Sequence, residues 1–78
     1  MDKLFNALER ANRNKVYRAV YDNKREMAVL RSIKNRYEGH GKAYEFVLRK
    51  ARELKIGLTK IEMVHLASQL WLESWRRI

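Results

Sequence analysis

Residues 2–38 pass without one glycine or proline. Both residue types interrupt helices, glycine through its backbone freedom and proline through its missing N–H. A stretch of this length with neither predicts helix throughout. The apolar residues inside it recur at helical intervals. Leu4, Leu8 and Ala11 share a face with Phe5 beside it. Val16, Tyr17, Val20 and Tyr21 form a second set, and Met27, Leu30, Ile33 and Tyr37 a third. At roughly 100° per residue the three stripes centre at about 60°, about 220° and about 110°. One straight helix cannot hold all three on one face.

Two breaks would restore the phase. One is Asn12-Arg13-Asn14. The other is Asp22-Asn23, where Asn23 and Glu26 stand at capping-box spacing. The alternative is one helix over 14–38 whose heptad seam is Val16, Val20, Asn23, Met27, Leu30, Lys34 and Tyr37.

Gly39-His40-Gly41 predicts a turn. A helix from Lys42 to about Lys55 follows, with Ala43, Val47, Ala51 and Leu54 as its inner stripe. Gly57 stands where a C′ glycine ends a helix, with Leu58 as its apolar follower. Thr59-Lys60-Ile61-Glu62 fits the S/T-x-x-E box, in which hydroxyl and carboxylate each satisfy a free backbone N–H. The last helix, from Lys60 to about Arg77, is apolar over most of its circumference, which places it at the centre of a bundle or in an interface. The reading is an all-α fold: one domain over 1–78, a compact bundle of three to five helices packed around an apolar C-terminal helix, 60–77.

At 78 residues the core is small, so association with a second copy or a partner is expected to complete it. There is no Cys, hence no disulfide framework and no thiolate metal site. No apolar run approaches the roughly 20 residues a membrane span needs, and the first residues do not resemble a secretory signal. The expectation is a cytoplasmic protein without a membrane partner.

Catalysis has little to work with. His40 and His65 stand alone, Glu62 and His65 make one i, i+3 pair, and no HExxH or phosphate-loop pattern is present. No enzyme activity, metal or cofactor is expected.

Charge is the strongest functional signal. The net charge of +9 is unevenly spread: residues 1–38 hold ten Lys/Arg against five Asp/Glu, residues 39–56 five against two, and residues 57–78 three against two. A basic coat therefore surrounds a nearly neutral last helix. Arg10, Arg13, Lys15, Arg18, Lys24, Arg25, Arg31 and Lys34 are the candidate phosphate contacts, because Lys and Arg neutralise phosphates and release condensed counterions. Tyr17 and Tyr21, one turn apart among these cations, are candidate stacking groups for unpaired bases, with core-edge packing as the alternative. Trp71 and Trp75 share a face as core residues or as a partner anchor.

The segment from Ala51 to Met63 resembles a helix-turn-helix, through Ile56-Gly57-Leu58-Thr59 followed by Glu62-Met63 and Leu66. The resemblance implies a second helix presented to the DNA major groove. Two features depart from it. Glu53 occupies a position usually held by a small residue, and the reading helix offers only Lys60, Glu62, His65 and Gln69 as polar readers.

Three roles are therefore expected of such a chain. The first is a small basic regulator or accessory factor binding RNA or DNA through phosphates. The second is an adaptor or inhibitor docking the acidic surface of a protein partner, of a size reminiscent of phage-encoded regulators. The third is a self-associating subunit, a homodimer, formed through the apolar surface of residues 61–75.

Overall fold

The computed structural model describes the backbone of residues 2–76 and the side chains of residues 10–76. Four helices follow one another: α1 (Asp2–Tyr21), α2 (Lys24–Ser32), α3 (Arg36–Glu53) and α4 (Lys60–Arg76). The fold is the expected all-α bundle. Its extents are 42 × 22 × 21 Å. The closest association is between α3 and α4, and α4 also touches α1 and α2.

The core takes residues from all four helices: Val16 and Val20; Met27 and Leu30; Ala43, Phe46, Val47 and Ala51; Met63, Leu66, Ala67 and Leu70.

Helix α1 does not break at Asn12-Arg13-Asn14. Mid-helix asparagine costs only about 0.7 kcal/mol relative to alanine, less than a broken turn. The first stripe also has no obligation to share the face of the second: Ala11 is exposed, whereas Val16 and Val20 are fully buried. Leu4, Phe5 and Leu8 lie outside the described side chains.

The break at Asp22-Asn23 is present. Asn23 caps α2, its side chain accepting from the Glu26 N–H at 3.1 Å. The continuous heptad helix over 14–38 is therefore excluded.

A second break, at Ile33–Asn35, replaces the expected turn at Gly39-His40-Gly41. Asn35 accepts from the N–H groups of Tyr37 and Glu38, at 2.9 and 3.1 Å, and α3 starts at Arg36. Tyr37, read as part of an inner stripe, is consequently 91 % exposed. Both glycines lie inside α3. A Cβ at Gly39 would fall within the Trp71 indole, whereas one at Gly41 would meet nothing within 4 Å. Gly39 is thus a notch for Trp71, whose Nε1 donates to the Ile33 carbonyl at 3.1 Å.

The end of α3 also differs from the expectation. Lys55, not Gly57, adopts the left-handed conformation, with φ 57°. The Lys55 N–H donates to Arg52 O at 3.1 Å and the Ile56 N–H to Ala51 O at 2.8 Å, the paired bonds of a Schellman motif. Leu54, expected in the inner stripe, is the C-cap and is exposed. The Thr59–Glu62 box is formed in both directions: the Thr59 N–H donates to Glu62 Oε1 at 2.9 Å and the Glu62 N–H to Thr59 Oγ1 at 3.2 Å.

Candidate nucleic-acid interface

Eight basic side chains on the first half of the chain define the candidate surface. Seven of them, Arg10, Lys15, Arg18, Lys24, Arg25, Arg31 and Lys34, are exposed and form no ion pair among the described residues. Arg13 is the exception. Its guanidinium reaches across the bundle to Glu62 Oε2 at 3.1 Å and ties α1 to the start of α4.

The fold gathers part of this set. Arg10, Asn14, Tyr17 and Tyr21 follow one side of α1 at intervals of four and three, with Arg18 at its edge. Asn14, Tyr17, Arg18, Tyr21 and Asp22 line a shallow recess of about 350 Å³. Lys24 and Arg31 are seven apart on α2 and line a second recess, of about 240 Å³, with Met27, Ala28 and Ser74. Lys15 lies about a third of the way round α1 from the first recess, and Arg25 about a third of the way round α2 from the second. The surface is therefore cationic on several sides.

Tyr17 and Tyr21 stack on each other, with centroids 5.7 Å apart and ring planes at 17°, and both are half-buried. Each thus has one ring face occupied. Burial raises the Tyr17 hydroxyl above its ordinary value, helped by the Glu73 carboxylate and Tyr21 and opposed by Arg76. The phenol is neutral in the physiological range.

Sequence reasoning missed a further group at the corner between α2 and α3. Arg36, Tyr37 and His40 line a recess of about 310 Å³. Tyr37 projects into water, with Lys34 three residues before it. The His40 ring is set edge-on to Trp71, centroids 5.2 Å apart at 88°. The signal for this corner is Asn35-x-x-Glu38, the same spacing as Asn23 and Glu26.

Four cations of the second half are paired, while Arg52, Lys55 and Lys60 are exposed without an ion pair among the described residues. Glu45 takes both Lys42 and Arg49, at 3.4 and 3.8 Å, and those two cations flank the buried Phe46 ring. Lys50 pairs with Glu53 and Arg76 with Glu73.

The helix-turn-helix resemblance is weakened at α4. Glu62 is committed to its cap and to Arg13, which hold its carboxyl below the ordinary range: the Thr59 backbone N–H is the main cause, with the Thr59 hydroxyl and Arg13 adding to it. The outward side of α4 carries Ile61, Val64 and Leu72, all exposed, where a reading helix would carry polar side chains. Trp71 is occupied by Gly39, Ile33 and His40, which is the core alternative of its two readings. Trp75 is half-buried and edge-on to Trp71.

Among the described residues no cluster of three His, Asp or Glu could hold a metal ion, and no helix is long and apolar enough to cross a membrane. No protein-family model matches the chain, and neither a curated protein nor a solved structure is similar to it.

Proposed function

We propose that this chain is a small basic nucleic-acid-binding regulator or accessory factor that holds RNA or DNA mainly through phosphate contacts. One observation carries the reading. Among the described residues, the acidic side chains that form ion pairs are all in the second half; the seven candidate cations other than Arg13, and Arg36 beside them, stand exposed without an ion pair, against three such cations, Arg52, Lys55 and Lys60, in the second half. Unpaired guanidinium and ammonium groups on helix faces are what a phosphate backbone meets at least desolvation cost.

Binding through about five such groups gives a log–log salt slope of roughly −4 to −5. The test is fluorescence anisotropy with single- and double-stranded probes between about 50 and 200 mM salt. The triple variant Arg18→Gln/Lys24→Gln/Arg31→Gln is expected to flatten that slope by about 3. Binding indifferent to salt overturns the proposal. So does a protein partner that survives nuclease treatment while no nucleic acid is retained, which identifies an acidic protein surface as the ligand instead.

A further inference from the structure

Helix α4 is apolar on two sides. Its inner side, Met63, Leu66, Ala67 and Leu70, is buried in the core. Its outer side is a second stripe, Ile61, Val64, Ser68, Leu72 and Trp75, at intervals of three, four, four and three. Ile61 is 71 % exposed, Leu72 52 % and Val64 48 %. Exposed apolar residues scattered singly are ordinary. Here they follow one continuous line along a 17-residue helix.

We infer that this stripe is the contact face of a homodimer in which two α4 helices pack antiparallel about a two-fold axis at Ser68. The inference is independent of nucleic-acid binding.

Two features point to a second copy of this chain. The first is the symmetry of the spacing. Ile61 and Trp75 lie seven residues either side of Ser68, and Val64 and Leu72 lie four either side. A two-fold interface requires such self-complementarity, because residue i meets residue j and residue j meets i. In the antiparallel arrangement Ile61 faces Trp75 of the second copy, and Val64 faces its Leu72. By the roughly 100° rotation per residue, the members of each pair fall on opposite sides of the seam, so they interlock rather than collide. The small Ser68 sits at the crossing, where the axes come closest.

The second feature is charge. The chain carries +9, and two copies repel wherever their basic surfaces meet. The stripe from Ile61 to Trp75 contains no charged side chain, and Glu62 and Glu73 lie on the flank of α4 turned toward Arg13 and Tyr17. Lys60 and Arg76 border the two ends of the stripe, but along its length a nucleic acid or an acidic protein finds no counter-charge. A second α4 meets an identical neutral face.

The stripe is about 21 Å long. Two such faces with their flanks cover about 1,000 Å², the lower edge of specific interfaces. A reversible dimer with a dissociation constant on the order of 10 μM is expected. Salt strengthens it, because screening removes the repulsion between two +9 chains while leaving apolar contact intact. Phosphate binding has the opposite salt dependence.

Sedimentation equilibrium of the full chain, freed of nucleic acid, tests the inference from about 1 to about 500 μM at low and high salt, a range that brackets the expected constant. The expected result is a mass rising from 9.4 kDa toward twice that value with concentration. Val64→Glu and Leu72→Lys are each expected to weaken association at least about tenfold, while circular dichroism stays unchanged because both positions are exposed. An equimolar mixture of the two variants restores the dimer, since the carboxylate introduced at position 64 of one chain then faces the ammonium introduced at position 72 of the other. A mass of 9.4 kDa throughout overturns the inference. So do a dimer indifferent to both substitutions and a mixture that fails to re-associate.

Discussion

Two glycines separated by one residue have opposite roles in α3. Gly39 lies against Trp71, and a methyl group there would occupy the indole's space. Gly39→Ala is therefore expected to destabilise by about 1–3 kcal/mol through overpacking, despite alanine's better helix propensity. Gly41 faces open space, so Gly41→Ala is expected to stabilise by about 0.5–1 kcal/mol. Thermal unfolding of the pair separates a packing glycine from a merely permissive one. Nothing in Gly39-His40-Gly41 distinguishes the two by sequence, because the partner of Gly39 is 32 residues further along the chain. Tyr37 illustrates the same limit. Its helical spacing from Met27, Leu30 and Ile33 suggests burial, yet Met27 and Leu30 belong to a different helix. Its exposed ring beside Arg36 and His40 is expected to stack on an unpaired base. Tyr37→Ala should weaken single-strand binding about tenfold, leaving duplex affinity and the salt slope unchanged in anisotropy titrations.

Helix boundaries are legible where side chains close them. The Thr59–Glu62 box and the Asn23 cap both form as their spacing implies. The boundary at Asn35 carries the same signal, obscured by the glycines that follow. The end of α3 is not legible in this way, since a left-handed lysine stands two residues before the glycine that marks a stop by rule. That conformation strains a side chain bearing Cβ. Lys55→Gly is expected to raise stability by about 1 kcal/mol, measured by denaturant midpoint. A helix end designed by sequence rule alone would carry glycine at position 55. Helix α1 misleads for another reason. Stripes out of phase require a break only if all of them must enter one core, and among the described side chains only Val16 and Val20 of that helix do so.

Across the whole molecule, the distribution of charge is the most readable functional feature, and its pairing is the least. Segment counts place eight of the nine net charges on residues 1–56 and one on the last helix and its approach. Only the fold reveals that Arg13 is held by Glu62 from 49 residues away, so that one of the eight candidate contacts has a structural role. Glu26 is a converse case. It is buried against α3, and its Oε1 has no hydrogen-bond partner among the described residues. Burial raises its carboxyl above the ordinary range, Lys50 and Arg49 pull it down, and Glu53 pushes it up. A carboxyl raised on folding contributes stability below its unfolded value, and that contribution is lost as pH rises through the folded value. Glu26→Gln is therefore expected to stabilise the protein at neutral pH, with the advantage shrinking as pH falls below the carboxylate range. Melting temperatures of both forms from about pH 3 to about pH 8 measure this directly.

The notch at Gly39 also has a consequence for descent. A chain inheriting a larger residue at position 39 is relieved of the clash by a smaller one at position 71, because a Cβ at 39 falls within the indole's space. Loss of the indole would in turn remove the N–H that holds the Ile33 carbonyl, and with it the bridge from α4 to the link between α2 and α3. Positions 39 and 71 are thus expected to change together or not at all, as one heritable unit split between two helices.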